Sequence, residues 1–126
     1  MTALVQGGVT GKIIGAAIEV HRILGPGLLE GAYRECLLDE LRMMNLKVER
    51  ERPLPIVYKG HSIDNAYRAD LIVEGAVLVE LKAVDRLMPV HRAQTLSYLK
   101  LSGIRVGLLF NFNALRLKDE MQRFVR

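Results

Sequence analysis

Tyr67-Arg68-Ala69-Asp70-Leu71-Ile72-Val73-Glu74-Gly75-Ala76-Val77-Leu78-Val79-Glu80-Leu81-Lys82 is the stretch that decides how this chain folds. Two strand-like runs, Ala69 to Val73 and Val77 to Leu81, flank a turn carrying Gly75. Side chains alternate across a strand, so Glu80 and Lys82 share a face. Asp70 falls opposite Glu80 only if the connection holds an odd number of residues. A strict two-residue turn sets Asp70 against Val79 instead and separates the carboxylates.

In the odd register two carboxylates sit about 5 Å apart at Cβ, a like-charge pairing that costs stability. Desolvation by apolar neighbours adds to the cost. A divalent cation relieves both penalties, because hard oxygen ligands suit Mg²⁺ and leave part of its shell to water and substrate. Lys82, one strand step beyond, is placed to hold an attacking water or to stabilise charge on a phosphate. A solvated hairpin with scattered charges is the bland alternative. Against it, Leu71, Ile72, Val73, Val77, Leu78, Val79 and Leu81 are apolar on both faces, which marks an interior strand pair.

At 126 residues the chain makes one compact domain. Half of it is hydrophobic and a quarter charged, an ordinary globular balance. No apolar run approaches the ~20 residues of a membrane helix, and no signal peptide is apparent, so the expected location is the cytoplasm. The single Cys36 lies in an apolar helical pattern and reads as a buried thiol; with three scattered histidines it supports no structural zinc site. A net charge of +4 permits a polyanionic partner without requiring one.

Residues 1–9 read as a flexible start and 10–126 as one domain. Thr10 can cap a first helix ending near Leu24, where Gly25-Pro26-Gly27 breaks it. A second helix is expected from about Leu29 to Met44, with Asn45 as a left-handed end cap. Val48 to Glu51 and Leu54 to Tyr58 read as two strands interrupted by Pro53, the second at an edge because of Pro55. Pro89 suits the start of a third helix ended by Ser102-Gly103, and Val106 to Phe112 is a buried strand. A helical crossover makes that strand parallel to Val77–Leu81. The tail from Leu115 is open between an amphipathic helix and an edge strand. The fold class is therefore a mixed α/β domain, a sheet flanked by helices.

Glu30 and Tyr33 lie one helical turn apart, as do Gln94 and Tyr98. Glu30 can simply favour the positive end of its helix, or it can reach a metal as a third acid. Tyr33 would then offer a hydroxyl or a stacking surface beneath it. Gln94 and Tyr98 suit phosphate or base contacts. His21 reads as a hydrogen-bonded core residue, His61 as solvated, and His91 as a residue that could line the site.

These residues closely resemble the GxxExxY family, small bacterial and archaeal proteins within the PD-(D/E)XK nuclease-like superfamily. The namesake motif is Gly27-Leu-Leu-Glu30-Gly-Ala-Tyr33, and the blocks Tyr67–Leu71, Val79–Ala83, Gln94–Leu99 and Gly107–Phe112 follow in order. The resemblance implies a restriction-endonuclease-like core of four mixed strands with extra edge strands, and Mg²⁺ or Mn²⁺ at the carboxylates. Asp70 and Glu80 would correspond to the metal-binding acids, Lys82 to the catalytic lysine and Glu30 to the helical acid that completes the metal set. Gln94 and Tyr98 resemble the QxxxY element of the RecB-like branch. The superfamily's nominal Pro before the Asp is Ala69 here, and Asp119-Glu120 stands where the family tends toward Asp-Gly.

The expected activity is metal-dependent phosphodiester hydrolysis of nucleic acid, with DNA the expected substrate, by an endo- or exonuclease that could pair as a homodimer to straddle a duplex. The rivals are a non-catalytic nucleic-acid-binding or accessory subunit that keeps the fold, and a small-molecule or nucleotide phosphohydrolase.

Overall fold

The computed structural model describes residues 3–126, with side chains from Gly8 onward. The quoted stretch forms an antiparallel hairpin of β2 (His61–Val73) and β3 (Val77–Lys82), with Val73 across from Val77, Ile72 from Leu78 and Leu71 from Val79. Glu74, Gly75 and Ala76 connect them, the odd case, and the Ala76 N–H donates to the Val73 carbonyl at 3.0 Å. Glu74 and Gly75 both take positive φ, which glycine adopts without steric cost. One further step of this register brings Asp70 across from Glu80.

From β3 the chain crosses through α3 (Pro89–Ser102) to β4 (Val106–Asn111), which runs parallel to β3 and is buried along its whole length. The tail resolves as one short 3₁₀ turn, Leu117–Glu120, followed by an edge strand, β5 (Met121–Val125), antiparallel to β4. At the opposite edge lies β1 (Val48–Tyr58), giving a five-stranded mixed sheet in the order β1-β2-β3-β4-β5. On one face α1 (Ala3–Leu24) and α2 (Glu30–Met43) cover Leu71, Val73, Val79, Leu81 and Phe110. On the other, α3 covers Ile72, Leu78 and Leu109 with Tyr98 and Leu99. The burial of both faces explains the continuous apolar runs of β3 and β4.

Three sequence expectations need correction. The segment around Pro53 is one strand of 11 residues rather than two. On an edge, prolines cost little ladder bonding, and the irregularity is absorbed by a positive φ at Glu51 and a register shift between Leu54 and Ile56. β2 begins at His61 rather than Ala69. Residues 61–68 are exposed and pair with β1 through a tight Lys59-Gly60 turn, both at positive φ. They form a two-stranded arm that carries no apolar alternation. Finally, α1 starts at Ala3, so Thr10 is an interior residue rather than a cap. Packing of Val9, Ile13, Ala16, Ala17 and Val20 into the core outweighs the weak helix propensity of the Gly7-Gly8 pair. The expected flexible start falls partly on Met1 and Thr2, outside the described residues.

The loop between β3 and α3 is anchored by Asn111, which is fully buried. Its Oδ1 accepts the Val84 N–H at 3.0 Å, and its Nδ2 donates to the Val84 carbonyl at 2.8 Å and to Glu120 Oε1 at 3.2 Å. Glu120 Oε1 also accepts the Leu87 N–H at 3.1 Å. Glu120 thus supplies a carboxylate that ties down this loop. Asn111→Ala leaves buried polar groups unpaired and is expected to cost at least about 2 kcal/mol, read by urea unfolding.

Candidate active site

The β2–β3 ladder's last regular pair is Leu71 with Val79, and beyond it side chains replace backbone partners. The Asp70 N–H donates to Glu80 Oε1 at 3.0 Å, and the Leu81 N–H donates to Asp70 Oδ2 at 2.9 Å. Each carboxylate therefore satisfies a buried amide of the neighbouring strand. Both are nearly sequestered, Asp70 at 8% exposure and Glu80 at 3%. Burial raises the Glu80 carboxyl to about 9, with the Asp70 charge adding to the effect. Burial also raises Asp70, opposed by the Leu81 amide and by Arg34 and Lys82.

Glu30 opens α2, half-buried, and its carboxyl is raised first by burial and then by Asp70, with Lys82 and Arg34 pulling the other way. The three acids thus lie within one electrostatic neighbourhood. Among the described residues, no three His, Cys, Asp or Glu side chains converge tightly enough to form a ready-made metal cage. The positive charge beside the acids includes one that the sequence reading missed. Arg34 Nη1 lies 3.4 Å from Asp70 Oδ1, and its Nη2 bonds Glu51 Oε1 at 2.8 Å. The signal was available: Arg34 is four residues after Glu30, so a helix face that aims one at Asp70 aims both.

Tyr33 does not join this group at an open surface. It is fully buried, stacked on Phe112 at 4.8 Å, and its hydroxyl donates to the Gly25 carbonyl at 2.6 Å while accepting the Leu28 N–H at 3.1 Å. It clasps the α1–α2 loop, in which Gly27 has φ 103° and donates its N–H to Asn113 Oδ1 at 3.0 Å. A side chain without accessible surface offers nothing to a substrate in this conformation, which corrects the expected binding role. Tyr33→Phe keeps the stacking and removes the clasp. We expect it to cost about 1 kcal/mol in thermal or chemical melts.

Gln94 and Tyr98 do present together: the Gln94 amide donates to Tyr98 Oη at 3.0 Å. Burial raises the Tyr98 hydroxyl, and the Glu80 charge contributes, so the pair stands beside the acids. Both line a cleft of about 860 Å³ between α3 and the β1–β2 arm, and Lys82 and His91 line it too. His91 Nδ1 accepts the Met88 N–H at 2.9 Å, holding the start of α3. His21 is the core histidine expected, with Nε2 2.8 Å from the Ala114 carbonyl, and His61 is exposed.

A mixed sheet with two buried acids facing each other across an opening strand pair, a lysine one step beyond the second, and helices on both faces defines a restriction-endonuclease-like domain. The family model for the PD-(D/E)XK nuclease superfamily matches residues 8–124, and the chain belongs to that superfamily. Comparison with curated proteins and with solved structures returns no match. No helix among the described residues is long and apolar enough to cross a membrane.

Proposed function

We propose that the protein is a metal-dependent nuclease of the GxxExxY family that hydrolyses phosphodiester bonds in nucleic acid, with DNA the expected substrate. The observation that carries this reading is the buried Asp70–Glu80 pair with Lys82 beside it. Such a pair is costly when both acids are ionised, and a divalent cation relieves that cost without a bound proton. Nucleases of this superfamily generally use divalent metals. The donor set here fits one, being made of hard carboxylate oxygens.

Asp70 and Glu80 would hold Mg²⁺ or Mn²⁺, with Glu30 completing the set from the helix side. When bound, the ion supplies Lewis acidity at the phosphate and lowers the pKa of a coordinated water. Lys82 orients the attacking water or stabilises the developing phosphorane charge. Arg34 balances the Asp70 charge and brings a guanidinium to the edge of the acid site. Gln94 and Tyr98 position the strand.

The Arg34–Asp70 contact also favours a second reading, a nucleic-acid-binding or accessory subunit in which a permanent ion pair occupies the acid site. A cleavage assay over single-stranded, duplex and branched DNA and over RNA, with Mg²⁺ or Mn²⁺, separates the two. The nuclease reading expects shortened product that disappears with chelator. Binding without cleavage of any substrate transfers the assignment to the second reading.

A further inference from the structure

We propose that the cleft between α3 and the β1–β2 arm is a base-stacking channel for single-stranded nucleic acid, with Tyr67 as its platform. The inference rests on the reading that the substrate is nucleic acid and deepens it to a strand class. Ile56, Val57, Val90 and Leu101 give the cleft apolar walls, and Val57 and Val90 are 72% and 67% exposed. Tyr67 projects from the arm at 44% exposure against Tyr98, with ring centroids 5.6 Å apart and tilted by 48°. The Tyr98 hydroxyl is held by the Gln94 amide, so the Tyr67 ring is backed by a nearly buried, hydrogen-bonded partner while part of its own surface stays open.

Charge complementarity points to the occupant. Lys82 and Lys100 line the cleft, and no acidic residue is among its lining residues. An intact duplex turns its phosphates outward and keeps its base faces stacked, so apolar walls and an open tyrosine ring gain nothing from it. A single strand presents unpaired base faces to the ring and phosphates to the lysines, which uses both features of the cleft. Lys82 lies at the cleft wall and belongs to the acid site, so a strand stacked on Tyr67 passes beside the carboxylates.

The test is equilibrium binding by fluorescence anisotropy in chelator, where no cleavage intervenes. The probes are oligothymidine, its duplex with oligoadenosine, an abasic strand with the same number of phosphates, oligouridine, and thymidine monophosphate as competitor. Wild type should bind oligothymidine or oligouridine more tightly than the duplex or the abasic strand, with the mononucleotide competing weakly. Tyr67→Leu should weaken single-strand binding roughly tenfold, the loss of one base–aromatic stack, while Tyr67→Phe keeps it. The chain contains no Trp, so Tyr67→Trp gives a lone fluorophore that an oligothymidine stack should quench. Equal affinity for the abasic strand or the duplex, unchanged binding by Tyr67→Leu, an unquenched Tyr67→Trp, or competition by the mononucleotide at strand concentrations would overturn the channel. Failure here alongside metal-dependent cleavage leaves the nuclease standing. Stacking without cleavage removes the nuclease and keeps the channel.

Discussion

Lys82→Ala should lower cleavage by about 10²-fold or more while leaving substrate affinity little changed. The magnitude is that of removing one preorganised electrostatic group from a site where charge develops in the transition state. Asp70 and Glu80 remain, so metal binding should persist. Affinity is spread over several phosphates, and one lysine contributes only a fraction of it. Single-turnover rates at saturating protein, set beside anisotropy in chelator, separate the two quantities. A variant that binds tenfold more weakly yet cleaves at the wild-type rate when saturated would make Lys82 a phosphate anchor rather than a catalytic group.

Glu80→Gln should remove a pH dependence of stability as well as the activity. In the folded, metal-free protein the Glu80 carboxyl is pushed to about 9, against an ordinary value of 4.5. Between those values the native state holds a proton that the unfolded chain releases. Stability is therefore greatest below the ordinary value and falls as pH rises through this window, by at most about 1.4 kcal/mol per pH unit for one proton. The raised Asp70 carboxyl acts with the same sign. Glutamine reproduces the neutral form, and its amide oxygen can still accept the Asp70 N–H. Melts in chelator should thus show wild type losing Tm toward alkaline pH, and Glu80→Gln flatter and more stable than wild type at the alkaline end. Added Mg²⁺ should restore wild type most where the pair is ionised, and should leave the variant unmoved.

The parts of the fold legible in the sequence were those written in local periodicity. The β2–β3 hairpin follows from two continuous apolar runs on either side of Gly75, and the three-residue connection in the structure places Asp70 across from Glu80. The α3 crossover follows from Pro89 and Gly103, the latter at a φ of 74° as a left-handed cap. What stayed hidden depends on contacts distant in sequence. Tyr33 and Glu30 look equally functional on a helical wheel. Only the loop geometry at Gly25 and Leu28 shows that the tyrosine hydroxyl is consumed in folding. The β1–β2 arm escaped because residues 61–68 bury nothing and so carry no hydrophobic pattern. Arg34 escaped because an arginine four residues after an acid reads as a surface ion pair until the helix is known to face the sheet's acids.

If Asp70 and Glu80 form a divalent-metal site, the purified protein should bind Mn²⁺ through them. Titration calorimetry in buffers of differing ionisation heat, checked by the loss of the free Mn²⁺ resonance, measures both affinity and the protons released. Wild type should bind Mn²⁺ with proton release, since Glu80 must ionise to become a ligand, and should bind more tightly as pH rises. Asp70→Asn and Glu80→Gln should each lose that binding while remaining folded. Wild-type protein that binds no Mn²⁺, or either variant binding it as wild type does, would contradict the site.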